Sequence, residues 1–383
     1  MKKYGLLFTL LAVCGWVATT AQTTRTGYFV TTLGRDTIAV EQFTADAHAL
    51  KGTSVVRAPR TTLREYEASF GPNGELDRFH ITMRNASGTT LGERDYVYTV
   101  DSVRVTFKQD TVTRVNTVAA KGQPYPFFVD LFAGWDNALY HAIHEGTAGE
   151  FGVLAGRQVL MYKVEGKGSG MLELVNPDND FGPLYAMVDN DGELLKLDLT
   201  STTDKFVAVR VQHLDVKAMA AQWAAREKSG SPMGVLSPRD TVNAEVNGAH
   251  LRIDYSRPAA RGRTIFGGVV PWNEVWRTGA NAATQLVTDK ELLFGTTVVP
   301  PGTYSLFTLP SQHEWQLIIN RQHGQWGTDY DQSKDLARLP LKTGRLSDAA
   351  ERFTFGITSH GNEGVISFRW AETEAAIQFT VGQ

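Results

Sequence analysis

Period-two alternation is the strongest constraint in this sequence. Leu251, Ile253 and Tyr255 alternate with Arg252, Asp254 and Ser256, and Trp315, Leu317 and Ile319 alternate with Gln316, Ile318 and Asn320. The pattern returns in Phe353, Phe355 and Ile357, in Ile366, Phe368 and Trp370, and in Ile377, Phe379 and Val381. Successive side chains of a strand point to opposite faces, so each run buries one face and wets the other. Short, evenly spaced strands with no helices between them predict a β-sandwich, jelly-roll-like, over residues 237–383.

Residues 23–225 also read as strands punctuated by turns. Tyr28-Phe29-Val30 leads through Gly34-Arg35-Asp36 to Thr37-Ile38-Ala39-Val40, a hairpin, while Gly71-Pro72-Asn73-Gly74 and Asn190-Asp191-Gly192 mark two further turns. One helix is expected at about 128–146, within FFVDLFAGWDNALYHAIHEG. A second is expected over 215–227, with Asp215 as N-cap and Val216, Met219, Ala220 and Trp223 on one face. An antiparallel sheet packed on a helix satisfies both patterns, because the helix covers the apolar face that an open sheet leaves bare. The whole chain is thus expected to be mainly β. Similar long-strand sheets carry lipids or lipoproteins in the periplasm, which is an analogy of fold alone.

The polar, Gly-, Ser- and Pro-rich run REKSGSPMGVLSP, residues 226–238, separates the two patterns and places a linker at 226–236. Division into two domains suits a chain too long for one ordinary core. At the start, Lys2 and Lys3 precede the apolar run Leu6 to Val17, and Thr19-Thr20-Ala21 offers small residues for cleavage. Residues 1–21 therefore read as a signal peptide, too short to span a bilayer, and the protein as exported, periplasmic, outer-membrane-associated or extracellular. Cys14 is the only cysteine; a lipid anchor there is disfavoured because Val13 stands where that processing wants a small residue. After cleavage no cysteine remains to form a disulfide or a thiolate metal site. A formal net charge of −3 and the lack of any basic run argue against nucleic acid or anionic membrane as a partner.

Five segments of the second domain carry a resemblance. SPRDTV at 237–242, DYSRPAARGRTIFGGVVPWNEVWRTGANAAT at 254–284, PPGTYSLFTLP at 300–310, EWQLIIN at 314–320 and QWGTDYDQSKDLARL at 325–339 together resemble the bacterial secreted family called domain of unknown function 2911. The resemblance implies a domain boundary and export, and no chemistry. Residues 23–225 resemble no family in the same way.

Tryptophan placement singles out candidate binding residues. Trp315 and Trp370 fall on apolar strand faces and are assigned to the core. Trp272, Trp276 and Trp326 lie in Gly-, Pro- and polar-rich segments, where periodicity gives them no buried face. Indole faces on a rigid β scaffold stack on sugar rings, with Glu274, Arg277, Asn281, Tyr330 and Asp331 available to bond the hydroxyls. The competing account is a long loop with its own small core, Trp276 as its plug and Glu274 paired with Arg277.

Other constellations are weaker. Glu274 with Asp331 or Asp335 would form the acid and base of a glycan or peptide hydrolase, if the fold brought them together. Arg257, Arg261 and Arg263 beside Pro258 would suit a carboxylate or phosphate. His141, His144 and Glu145 form HxxHE, which lacks the spacing of the zinc-protease HExxH and reads better as a helix end. Asn176, Asp178 and Asp180 alternate as calcium-loop oxygens do, but Phe181 stands where that loop needs glycine. Nucleophile elbows, P-loops and dinucleotide fingerprints are missing, so neither a cofactor nor a resident metal is expected. The leading expectation is non-catalytic binding of a carbohydrate or related polar small molecule by the second domain. The alternatives are the hydrolase and a lipid- or lipoprotein-binding first sheet.

Overall fold

A computed structural model describes residues 24–72, 74–120, 122–144, 149–178 and 182–382. The signal segment, Cys14, Asn73, Glu145, Asp180 and Phe181 lie outside the described residues. The protein is mainly β, with two large antiparallel sheets and few helices.

The first sheet has fifteen strands. From Arg25–Leu33 to Val112–Ala119 each strand pairs with the next in a meander, and a second set from Tyr125–Pro126 to Val207–Val211 runs back to close on the first. The two sets join where Tyr28 faces Val211 and Thr32 faces Val207. The expected hairpin at Gly34-Arg35 connects Arg25–Leu33 to Asp36–Ala45, and the turn at 189–193 stands where its sequence places it. One pairing departs from the antiparallel rule: Tyr125–Pro126 runs parallel to Glu150–Ala155, as a strand–helix–strand crossover requires.

That crossover is α1, Ala133–His144, which starts later than the sequence predicts. Its start is set from across the sheet. Glu41, buried on the strand Asp36–Ala45, accepts from the backbone N–H of Phe132 at 2.7 Å and of Ala133 at 3.4 Å, and so satisfies donors that the first helical turn leaves open. Residues 127–132 carry no such local signal. Asp136, also buried, accepts from Arg25 at 2.8 Å, from Arg210 at 2.7 Å and from the Leu194 N–H at 2.8 Å, tying the helix to three strands. Phe29, Phe132, Trp135 and Leu139 fill the interface beneath α1, where a lipid carrier would need a cavity.

Helix α2, Val216–Lys228, matches its prediction closely. Asp215 caps it by accepting from the Ala218 N–H at 2.9 Å, and Val216, Ala220 and Trp223 are buried against Val40 and Val55. Val40 meets α2 while its neighbour Glu41 meets α1, so the two helices cover opposite faces of the central strands. Residues 38–41 are accordingly all buried, the mark of a strand covered on both sides. In the segment expected to be a linker, Met233 and Leu236 pack on the first core.

Among the described residues the second sheet has nine strands in one hydrogen-bonded series around a large core, with a smaller cluster of Ala283, Phe307 and Ile318 beside it. Continuity passes through Asp335–His360, whose residues 335–341 pair with Trp315–Asn320 and whose remainder pairs with Glu363–Val381. The separate short runs expected at 366–370 and 377–381 are one strand of 19 residues. Bulges between Arg345 and Thr354 interrupt the alternation there while the backbone pairing continues, which disguised the strand's length. Trp315 and Trp370 are buried in this core as assigned.

Burial pushes the Glu41 carboxyl up to about 8, against hydrogen bonds from the Tyr66 hydroxyl at 2.5 Å and the Phe132 N–H that favour the ionised form. In the unfolded chain a glutamate ionises near about 4.3. Between those values the folded state holds one proton more than the unfolded state, so stability falls as pH rises through this window. We expect Glu41→Gln to flatten that slope, which approaches about 1.4 kcal/mol per pH unit, in urea unfolding measured between about pH 5 and 8. A wild-type slope unchanged by the substitution would show that Glu41 ionises normally.

Candidate functional site

The strand Ala249–Ser256 is followed by a long loop, residues 257–283, before Thr284–Thr288 resumes the sheet. The loop is fastened by backbone bridges rather than by regular structure: Ala259 to Arg352, Trp276 to Thr308 and Ala282 to Trp326. Several residues adopt left-handed backbone, among them Thr278 at φ 45° and Asn281 at φ 61°. A β-branched residue rarely accepts that conformation. Thr278 is held there, fully buried, by its hydroxyl against Thr308 at 2.7 Å and by its carbonyl, which accepts from Thr284 at 2.7 Å.

This loop forms one wall of a cleft of about 1060 Å³ between the two sheets. The part of the chain that forms the second sheet contributes Arg263, Glu274, Trp276, Arg277, Asn281, Tyr330 and Trp370; the part that forms the first contributes the turn Thr200 to Lys205, and Leu236 lies between them. The walls are held in register by Arg261, only 6% exposed, which forms an ion pair with Asp36 across the boundary. The Arg35 N–H donates to the Arg261 carbonyl at 2.9 Å, and the Arg261 N–H donates to Glu351 at 2.9 Å.

Of the three suspected tryptophans, only Trp276 reaches the cleft. Its ring stacks on Trp370 at 5.8 Å and meets Phe353 edge-on at 5.3 Å, and its Nε1–H donates to the Gly279 carbonyl at 3.1 Å. It is the plug of the loop. Trp272 packs on Phe266 and Trp315 and is not part of the cleft wall. Trp326 is 52% exposed and also lies off the cleft, its backbone engaged with Ala282. The three indoles therefore do not line one groove.

The carboxylates separate as well. Glu274 faces the cleft and is exposed, with no hydrogen bond or ion pair among the described residues. Asp331 instead caps a short 3-10 turn, accepting from the Ser333 N–H at 2.9 Å and hydroxyl at 2.6 Å, contacts that hold its carboxyl below the usual range. Asp335 accepts from Tyr330 at 2.7 Å, from Arg338 at 2.9 Å and from Asn320 at 2.9 Å. Neither aspartate lines the cleft, so the acid and base pair expected of a hydrolase does not assemble around Glu274. The Tyr330 hydroxyl is likewise committed, donating to Asp335 and accepting from Arg338 at 2.8 Å.

The arginines divide differently from expectation. Arg257 is taken by Asp240, Thr354 and the Phe353 carbonyl, and Arg261 by Asp36. Arg263 lines the cleft and, among the described residues, donates only to the carbonyls of Ala259 and Ala260. Arg277 has no partner among the described residues, and its Nε is buried. The expected Glu274 to Arg277 pair does not form. Burial lowers the affinity of both guanidiniums for their protons, yet an arginine stays charged in a protein. Lys205, at φ 60°, faces them from the first domain; burial lowers its pKa, Glu274 opposes that shift, and Arg263 and Arg277 add to it. Lys205 was not legible as a site residue, since TSTTDK reads only as a polar turn.

The described residues of the two remaining motifs make local contacts. His144 Nδ1 bonds the Tyr140 carbonyl at 2.9 Å and its ring stacks on Tyr140, while Asn176 accepts from the Asp178 N–H at 3.0 Å in a local turn. His141 sits on the same helix, ring edge against Tyr140. Among the described residues there is no group of three or more candidate metal ligands, and no helix is long and apolar enough to cross a membrane.

Trp276→Ala should cost about 3–5 kcal/mol of stability, because it empties the centre of an aromatic cluster. Trp326→Ala should stay within about 0.5 kcal/mol of wild type. Urea unfolding of the two variants side by side checks the contrast, and equal losses would contradict the assignment of Trp276 as the plug.

Comparison with known proteins adds a family for the C-terminal part only. No curated protein matches the chain. Among solved structures, a double mutant of the vaccine antigen transferrin binding protein B from Haemophilus parasuis Hp5 aligns with 95% of this chain and 76% of that one, at 10% identity and a TM-score of 0.13. So low a score carries no argument about fold or function. Residues 237–379 match the family described as "Protein of unknown function (DUF2911)", with the residues before them assigned to no family. The C-terminal part of this chain, with the loop that walls the cleft, is a DUF2911 domain.

Proposed function

We propose that this protein is a non-catalytic binding protein for a polar small molecule, seated in the cleft between its two sheets. One observation carries this: the partly buried Arg277 guanidinium lines the cleft, with its Nε buried and without an acceptor among the described residues. Buried polar groups in folded proteins are almost always paired, and an orphaned one in a cleft marks where a partner binds. The cleft is large enough for a sugar-sized ligand, and its wall is drawn from both parts of the chain. A carbohydrate remains the leading ligand class, recognised by polar groups rather than by stacked indoles, since Trp276 is engaged by Trp370 and Phe353. The signal-like pattern of Lys2, Lys3 and Leu6 to Val17 supports export, which would place that ligand in the periplasm or outside the cell.

A thermal-shift screen of glycans and small metabolites tests this with the wild type and Arg277→Met. Ligand at about a hundred times its Kd stabilises a one-site protein by about 2.7 kcal/mol. We expect at least one compound to raise the melting temperature of the wild type and to lose that effect in Arg277→Met. Hits indifferent to the substitution would place binding elsewhere.

A further inference from the structure

Resting on the cleft as a binding site, we propose that its ligand carries a single carboxylate, held by Arg277 and Trp370 of the second domain and by Lys205 of the first. Arg277 is not the only unsatisfied donor in that wall. Trp370 also lines the cleft, and its indole Nε1 is buried without a hydrogen-bond partner. An indole N–H and a guanidinium only donate, so whatever satisfies both must bring acceptors. A hydroxyl can accept two bonds but brings a donor of its own, which neither the indole nor the guanidinium can accept. A carboxylate brings two oxygens with about four lone-pair sites and no donor, and it meets a planar guanidinium fork.

Charge points the same way. The lining holds three basic side chains, Lys205, Arg263 and Arg277, against two acidic ones, Asp204 and Glu274. Lys205, Arg263, Arg277 and Glu274 lie close enough for each of the other three to act on the charge of Lys205. One surplus positive charge suits a monoanion, and the two carboxylates repel anything more highly charged. Because Lys205 belongs to the first domain and Arg277 to the second, the anion bridges the two.

The test uses isothermal titration with glucose, glucuronate, acetate and inorganic phosphate on the wild type, Arg277→Met, Arg277→Lys, Lys205→Met and Trp326→Ala. Glucose and glucuronate share a ring and differ in the carboxylate, and acetate probes the anion seat alone. In parallel, 15N-tryptophan-labelled protein reports the Trp370 indole N–H, assigned by its loss in Trp370→Phe. We expect glucuronate to bind at least tenfold tighter than glucose, with at least tenfold loss in Arg277→Met and Lys205→Met. Arg277→Lys should fall between, and Trp326→Ala should match the wild type. Acetate and glucuronate should both shift the Trp370 resonance, which a merely structural Arg277 would not produce.

Glucose binding as tightly as glucuronate, with the same dependence on Arg277, would overturn the carboxylate and leave the cleft as a binding site. Phosphate binding tighter than either carboxylate would overturn the monoanion. Failure of both acetate and glucuronate to bind or to move the Trp370 signal would overturn the proposal, whereas Arg277-dependent hits from the thermal-shift screen would still uphold the cleft. Absence of those hits as well would remove both.

Discussion

The geometry of the cleft depends on one ion pair. Asp36 lies at the tip of the first hairpin and Arg261 in the long loop of the second domain, 225 residues away. Arg261 is buried and sits in left-handed backbone, with Glu351 accepting from its N–H and the Arg35 N–H donating to its carbonyl. Removing a guanidinium from water is costly, and an ion pair with hydrogen bonds offsets that cost, so the contact is selective for its partner. Gly34 is part of the same fit, because a Cβ at that position would run into the Arg261 carbonyl. Pinned at this point, the loop presents Arg263, Arg277 and Asn281 to the turn that carries Lys205.

The same loop separates structural arginines from available ones. Arg257 and Arg261 have carboxylate partners, which neutralise them and fix the chain. Arg263 and Arg277 have none among the described residues, and both are desolvated. The stem of Arg277 packs against Gly327, where any side chain would collide with it and with the Asn281 carbonyl. A positive group held rigidly in a partly dry cleft acts more strongly on a ligand than the same group in water. Strain points to the same place, since Thr278, Asn281 and Lys205 all hold left-handed backbone next to or within the lining.

Much of the fold was legible from local pattern. The helix α2 face, its Asp215 cap, the Gly34-Arg35 turn and the core placement of Trp223, Trp315 and Trp370 each follow from residues within about two turns or one strand, where backbone geometry alone sets which side chains share a face. Two features were misread because what decided them lay outside the local alternation. The start of α1 is set by Glu41, on a strand some ninety residues earlier. The long strand Glu363–Val381 is held together by pairing with a partner whose bulges fall in a polar run. Among site residues, Trp276 and Arg277 were legible as unexplained by periodicity, although their roles divided: one seals the loop and the other faces the cleft. Trp272, Trp326, Asp331 and Asp335 had the right chemistry and the wrong neighbours.

What the sequence determined by itself was the alternation that makes the chain mainly β, the turns between strands, the amphipathic second helix and the domain resemblance over its C-terminal part. These rest on contacts between near neighbours, whose geometry repeats wherever the pattern does. Only the tertiary structure decided that Lys205 faces Arg277, that Glu274 stands apart from both Asp331 and Asp335, and that Arg261 rather than Arg277 is the paired guanidinium. Those outcomes depend on which buried charges find partners across the domain boundary, and desolvation makes that choice without leaving a mark in local sequence.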